Sequence, residues 1–76
     1  TLYYMNKKNK IKIVVNGKLL TVNLKFTLKN LIEKLKTPIN KVAIELNEKI
    51  VDKNKLNKIF LKNKDKIEIV HFIGGG

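Results

Sequence analysis

Ile11-Lys12-Ile13-Val14-Val15-Asn16-Gly17-Lys18-Leu19-Leu20-Thr21-Val22-Asn23-Leu24 is the stretch that decides the fold. Ile11, Ile13 and Val15 alternate with other residues and so share one face of a strand. Asn16-Gly17 supplies the two positive φ angles that a type I′ turn demands. On the return strand Leu20, Val22 and Leu24 share a face. Residues 10–24 are therefore expected to form a β-hairpin with one apolar side.

Downstream, Thr27 is placed to cap a helix with Leu28, Leu31, Ile32 and Leu35 at i, i+3, i+4 and i+7. Pro38 limits it within three residues of its last apolar position. Val42-Ala43-Ile44-Glu45-Leu46 reads as a third strand with Val42, Ile44 and Leu46 inward. Asn47-Glu48 turns the chain into a short Lys49-Ile50-Val51 segment. From Asp52 to Lys64 the sequence is polar and mixed, with Leu56, Ile59, Phe60 and Leu61 as anchors of a short helical turn. Lys64-Asp65 then leads into a last strand, Lys66 to Phe72, with Ile67 and Ile69 inward.

A single short helix must cover the one large apolar surface available, a face of the sheet. With the last strand beside the first at the sheet centre, the pattern predicts an α+β, ubiquitin-like β-grasp: a mixed sheet of four to five strands with one main helix packed on one face. The expected core is Ile11, Ile13, Val15, Leu20, Val22, Leu31, Ile32, Leu35, Ile44, Leu46, Leu56, Ile67 and Ile69. Residues 1–10 read as a flexible leader, with Met5 a candidate start, residues 11–73 as the domain and 74–76 as a flexible glycine tail.

Composition narrows the function. The 76 residues suffice for one small domain. There is no cysteine, so disulfides, a zinc knuckle and a cysteine nucleophile are excluded. One histidine and six scattered carboxylates show no metal-site spacing, and no metal is expected. No stretch approaches the ~18 apolar residues of a membrane helix. The net charge of +11 arises from 17 lysines with no arginine. Ten asparagines and ten isoleucines accompany them. These three residue types share A/T-rich codons, so genome composition accounts for all three excesses, whereas nucleic-acid binding accounts for one. No specific nucleic acid is expected as a partner, although net charge alone draws acidic partners from a distance.

Two features remain. Alternation places Lys12, Val14, Ala43, Glu45, Glu68, Val70 and Phe72 on the sheet face away from the helix. Four of the seven are apolar, and Phe72, Val70, Val14 and Ala43 form a candidate docking patch. The chain then ends in Ile73-Gly74-Gly75-Gly76. Glycines lack a Cβ, so Gly74 and Gly75 allow the backbone through a channel too narrow for side chains and present the Gly76 carboxylate. His71 precedes them at a strand end with no acid near it in sequence, which fits a structural rather than a catalytic residue.

Val15-Asn16-Gly17, Val42-Ala43-Ile44-Glu45-Leu46-Asn47 and Ile67-Glu68-Ile69-Val70-His71-Phe72-Ile73-Gly74-Gly75-Gly76 together resemble the sulfur-carrier family of thiamine biosynthesis, the ThiS family. The resemblance runs from about Lys10 to Gly76, and the terminal motif is its most specific part. The residues before Lys10 depart from the family pattern, in which the chain begins close to the first strand.

The resemblance implies a protein co-substrate rather than an enzyme, with no cofactor of its own. An E1-like adenylating enzyme would use ATP to activate the Gly76 carboxylate. Sulfur drawn from cysteine through a desulfurase would convert it to a thiocarboxylate, and thiazole synthase would receive that sulfur. The implied location is cytoplasmic, or the organellar stroma for a plastid-encoded chain. Alternatives are the small-subunit sulfur carrier of molybdopterin synthase, a ubiquitin-like protein modifier and, from charge, a basic nucleic-acid-binding module. The Ile-Val-His-Phe-Ile run before the glycines favours the thiazole carrier.

Overall fold

Asn16 and Gly17 adopt φ of 48° and 81°, and the chain reverses there between two strands. In the computed structural model, which describes residues 9–72, β1 (Lys10–Val15) and β2 (Lys18–Asn23) pair antiparallel from Lys10↔Asn23 to Val15↔Lys18. After a helix, α1 (Leu28–Lys34), come β3 (Val42–Leu46), the two-residue β4 (Lys49–Ile50), a 3-10 helix at Lys53–Lys58, and β5 (Lys66–His71). The sheet order is β2-β1-β5-β3-β4. β5 is parallel to β1 and antiparallel to β3. This is the expected β-grasp arrangement, with five strands.

Local chemistry sets the helix ends. Thr27 Oγ1 accepts from the Asn30 backbone N–H while Asn30 Oδ1 accepts from the Thr27 N–H, both at 3.0 Å. This reciprocal cap satisfies two donors that the first turn leaves without partners. At the other end the Lys36 N–H donates to Glu33 O and the Thr37 N–H to Ile32 O, each at 3.1 Å. That pair of bonds is a Schellman ending, and its left-handed position is Lys36, with φ of 54°, where glycine is the usual occupant.

Twelve apolar residues form the core: Ile11, Ile13, Val22, Leu28, Leu31, Ile32, Val42, Ile44, Leu56, Leu61, Ile67 and Ile69. Three expectations need correction. Leu35 is 40% exposed, because α1 stops at Lys34 and leaves it at the cap. Leu24 follows the last residue of edge strand β2 and is 47% exposed. Phe60 is exposed because residues 59–61 run extended rather than helical. A bridge joins Thr27 to Phe60, the Leu28 N–H donates to Ile59 O, and the Leu61 N–H donates to Phe26 O. Alternation along that segment turns Leu61 and, in part, Ile59 inward, and Phe60 outward.

The central β1–β5 pairing has only two register pairs, Val14↔Lys66 and Val15↔Ile67, and asparagine side chains lengthen it at both ends. Asn63 Oδ1 accepts from the Lys12 N–H at 2.9 Å. At the hairpin, Asn16 Oδ1 accepts from the Ile69 N–H at 2.7 Å, and Asn16 Nδ2 donates to Ile69 O at 3.3 Å. The carboxamide thus stands in for a peptide group beyond the end of β1. Asn47, at the β3–β4 turn with φ of 51°, repeats the device: its Oδ1 accepts from the Lys66 N–H at 2.9 Å, and its Nδ2 donates to Asp65 at 3.0 Å.

Asn16→Ala removes both bonds to Ile69 together with a residue tolerant of positive φ, and is expected to destabilise the domain by about 2–3 kcal/mol. Asn16→Asp keeps the turn and the acceptor and should lose less; urea denaturation of the two variants checks the order. Lys36→Gly relieves the left-handed helix ending and is expected to raise stability by about 0.5–1 kcal/mol in the same measurement.

Candidate functional site: the outer sheet face and the root of the tail

β5 is the strand from which the C-terminal segment departs, and its two faces differ. Ile67 and Ile69 are buried beneath α1's side of the sheet, whereas Val70 and Phe72 are 51% and 52% exposed. The Phe72 N–H donates to Lys41 O at 2.9 Å, so the backbone is held up to the last described residue. Lys53 Nζ lies 5.3 Å from the centre of the Phe72 ring and donates to Ile39 O at 2.8 Å. The Phe72 ring therefore has a cation over it while half of the residue's surface stays in water.

The strand registers assemble the rest of the face. Ala43 lies directly opposite Val70, and Glu45 opposite Glu68, across β3 and β5. Ile50 of β4 is paired with Glu45 on the other side. On β1, Val14 is half-buried and sits between Leu19 of β2 and Lys66 of β5. The four residues singled out from the sequence thus fall into two groups. Val70 and Ala43 are paired across β5 and β3 with Phe72 beyond them, while Val14 lies across β5. Leu19 and Ile50 belong to the same face and are 68% and 77% exposed, the two most exposed of its large apolar residues. Neither was among the outer-face residues read from the sequence: alternation along β2 was a signal that could have found Leu19, whereas Ile50 needed the β3–β4 register.

Gly74, Gly75 and Gly76, together with Ile73 and the leader through residue 8, lie outside the described residues. Among the described residues no group of three or more His, Cys, Asp or Glu is placed to hold a metal ion. A groove of about 460 Å³ between α1 and the 3-10 helix is floored by Ile32, Ile39 and Leu56 and edged by Lys29, Lys36 and Lys53. Its polar lining consists of ammonium and amide groups together with the Glu33 carboxylate and the Thr37 hydroxyl. No helix among the described residues is long and apolar enough to cross a membrane.

A scan against protein families matches the ThiS family over residues 9–76. The chain belongs to the ThiS family. Membership supports a sulfur-carrier role in thiamine biosynthesis. Among solved structures, the thiamine biosynthesis protein ThiS from Geobacter metallireducens is similar at 29% sequence identity and a TM-score of 0.76, over 87% of this chain and 100% of that one. A comparison with curated proteins finds no match.

Because Val70 and Phe72 project from the solvent side of β5, Val70→Ser and Phe72→Ser are each expected to change folding stability by less than about 1 kcal/mol. Ile69→Ala, on the same strand but facing the core, is expected to cost about 2–5 kcal/mol. Urea denaturation of the three variants tests whether the two faces of β5 separate packing from presentation.

Proposed function

We propose that this ThiS-family chain carries sulfur as a thiocarboxylate on Gly76. The observation that supports the reading most is the course of β5. One strand is locked at the sheet centre, emerges beside exposed Val70 and Phe72, and leads within the sequence to Gly74-Gly75-Gly76. The domain then serves to hold and identify the tail, and an adenylating enzyme of the E1-like type supplies the catalysis.

A carboxylate resists nucleophilic attack because it is anionic and has no leaving group. Adenylation with ATP converts the Gly76 carboxylate into a mixed anhydride with AMP, releasing pyrophosphate. A persulfide formed from cysteine by a desulfurase then displaces AMP at the carbonyl carbon through its terminal sulfur. A thiol of the activating machinery cleaves the resulting acyl disulfide to release the thiocarboxylate, leaving a disulfide behind. The resulting thiocarboxylate is a stronger nucleophile than the carboxylate it replaces, suited to giving its sulfur to thiazole synthase. The absence of cysteine is compatible with this cycle, because sulfur is carried on the main-chain carboxyl.

Each glycine has a separate task. Gly74 and Gly75 admit the tail to a narrow channel, and Gly76 bears the reacting carbon. Phe72, Val70, Ala43 and Val14 give the activating enzyme an apolar surface to rest on while the tail is inserted. The reading places the cycle in the cytoplasm, or in the stroma for a plastid-encoded chain.

Intact-mass measurement after incubation with ATP, a sulfur donor and an E1-like adenylating enzyme of the ThiS pathway tests the proposal. The chain is expected to gain the mass difference between a sulfur and an oxygen atom. Deletion of Gly76 should abolish the gain, and its persistence would move the reactive position elsewhere. Gly75→Val is expected to leave the urea midpoint unchanged while blocking adenylation, since its side chain would obstruct the channel and not the core.

A further inference from the structure

The β3–β5 register sets Glu45 directly opposite Glu68 on the outer face of the sheet. Side chains so placed have Cβ atoms about 4.5–5.5 Å apart, and like charges there oppose folding. Both residues are half-buried. The chain has 17 lysines, yet among the described residues the ion pair formed is Lys66–Glu48 at 3.9 Å, and neither Glu45 nor Glu68 has a lysine within bonding reach. Among the described residues, an excess of cations has left two facing carboxylates without one.

Their surroundings are largely apolar, with Lys66 two residues before Glu68 on the same face. Ala43 and Val70 form the next pair along the same two strands, Ile50 flanks Glu45 from β4, and Val14 lies diagonally across from Glu68. The half of the face built by β5, β3 and β4 thus sets Ala43, Val70 and Ile50 around a carboxylate pair, with Lys66 at its margin, in a chain of net charge +11. A cationic partner is repelled by the molecule at large and attracted at this facing carboxylate pair.

We propose that this face docks a partner through an arginine seated between Glu45 and Glu68, with apolar side chains of that partner against Ala43, Val70 and Ile50. A planar guanidinium offers donors on two edges and can bridge two carboxylates, which a lysine's single ammonium matches less well. Closure of the apolar flanks removes water from the pair and strengthens it. The carboxylate repulsion that weakens the free domain is thereby relieved in the complex. The inference deepens the carrier reading, on which it rests for the identity of the partner, by assigning the chemistry that partner must present.

The experiment titrates the isotope-labelled chain with a short alternating leucine–arginine peptide and follows backbone amide shifts. Saturable shifts are expected at Ala43, Glu45, Glu68 and Val70. The double variant Glu45→Gln, Glu68→Gln should bind the peptide roughly tenfold more weakly while its urea midpoint rises, a combination that a merely structural role would not give. Glu48→Gln, which leaves the pair intact, should bind as the parent does. Absence of saturable shifts at those positions, or undiminished binding by the double variant, would overturn the inference.

The titration needs no activating enzyme, so its outcome separates from that of the mass measurement. Peptide binding without sulfur loading sinks the carrier reading and leaves the docking chemistry. Sulfur loading of the double variant with an unchanged KM sinks the docking chemistry and leaves the carrier.

Discussion

The two hydrogen bonds between the Asn16 carboxamide and the backbone of Ile69 hold together the part of the molecule on which the rest depends. β1 turns back into β2 after Val15, while β5 continues through His71. Without a partner beyond that point, the distal half of β5 would have peptide groups unpaired on the β1 side. Asn16 supplies the missing rung, and its own position in a type I′ turn puts the carboxamide at the correct distance. One residue therefore reverses the first hairpin and extends the central parallel pairing. Each is a hydrogen-bonding requirement of buried or half-buried backbone that must be met somewhere.

Holding β5 in register has consequences on both of its faces. Inward, it brings Ile67 and Ile69 against Ile44 and Val42, closing the core beneath α1. Outward, it lines up Glu68 with Glu45 and Val70 with Ala43, so the chemistry of the exposed face is a product of the same register. A shift of one residue would send the isoleucines to solvent and the docking residues into the core. Packing thereby enforces the geometry of presentation. Apolar burial selects the register, and the surface that leads to the tail inherits it.

Much of this was legible in the sequence wherever the responsible interaction is local. The Asn-Gly turn, the two-residue alternation of β1, β3 and β5, and the Thr27 cap each lie within a few residues of what they determine. The candidate surface was legible in part, since Val14, Ala43, Val70 and Phe72 follow from alternation once the helix is assigned to the opposite face. Phe60 misleads because its segment pairs with Phe26–Leu28 far away in sequence, turning an expected helical anchor outward. Leu35 misleads because periodicity records a stripe but not the Schellman ending that cuts it short. Asn16's bonds to Ile69 and the opposition of Glu45 to Glu68 depend on pairings between distant strands, and no local pattern encodes them.

Asparagine shows how composition and structure can both be true of one residue type. A/T-rich codons account for its abundance, but not for its locations. Asn16 and Asn47 occupy left-handed positions at the two hairpin turns that grip β5, Asn63 caps the other end of the β1–β5 pairing, and Asn30 completes the helix cap. Lysine fills other left-handed positions, Lys25, Lys36 and Lys64, where its side chain does no comparable bonding to the backbone. Glycine suits such sites best, yet only Gly17 lies outside the terminal run. A biased residue supply thus leaves a graded mark on the fold. Where a carboxamide can replace a peptide group, asparagine contributes to stability, and where only a positive φ is needed, lysine leaves strain that the core must offset. Glycine is concentrated instead at Gly74-Gly75-Gly76, where the proposed chemistry admits no side chain.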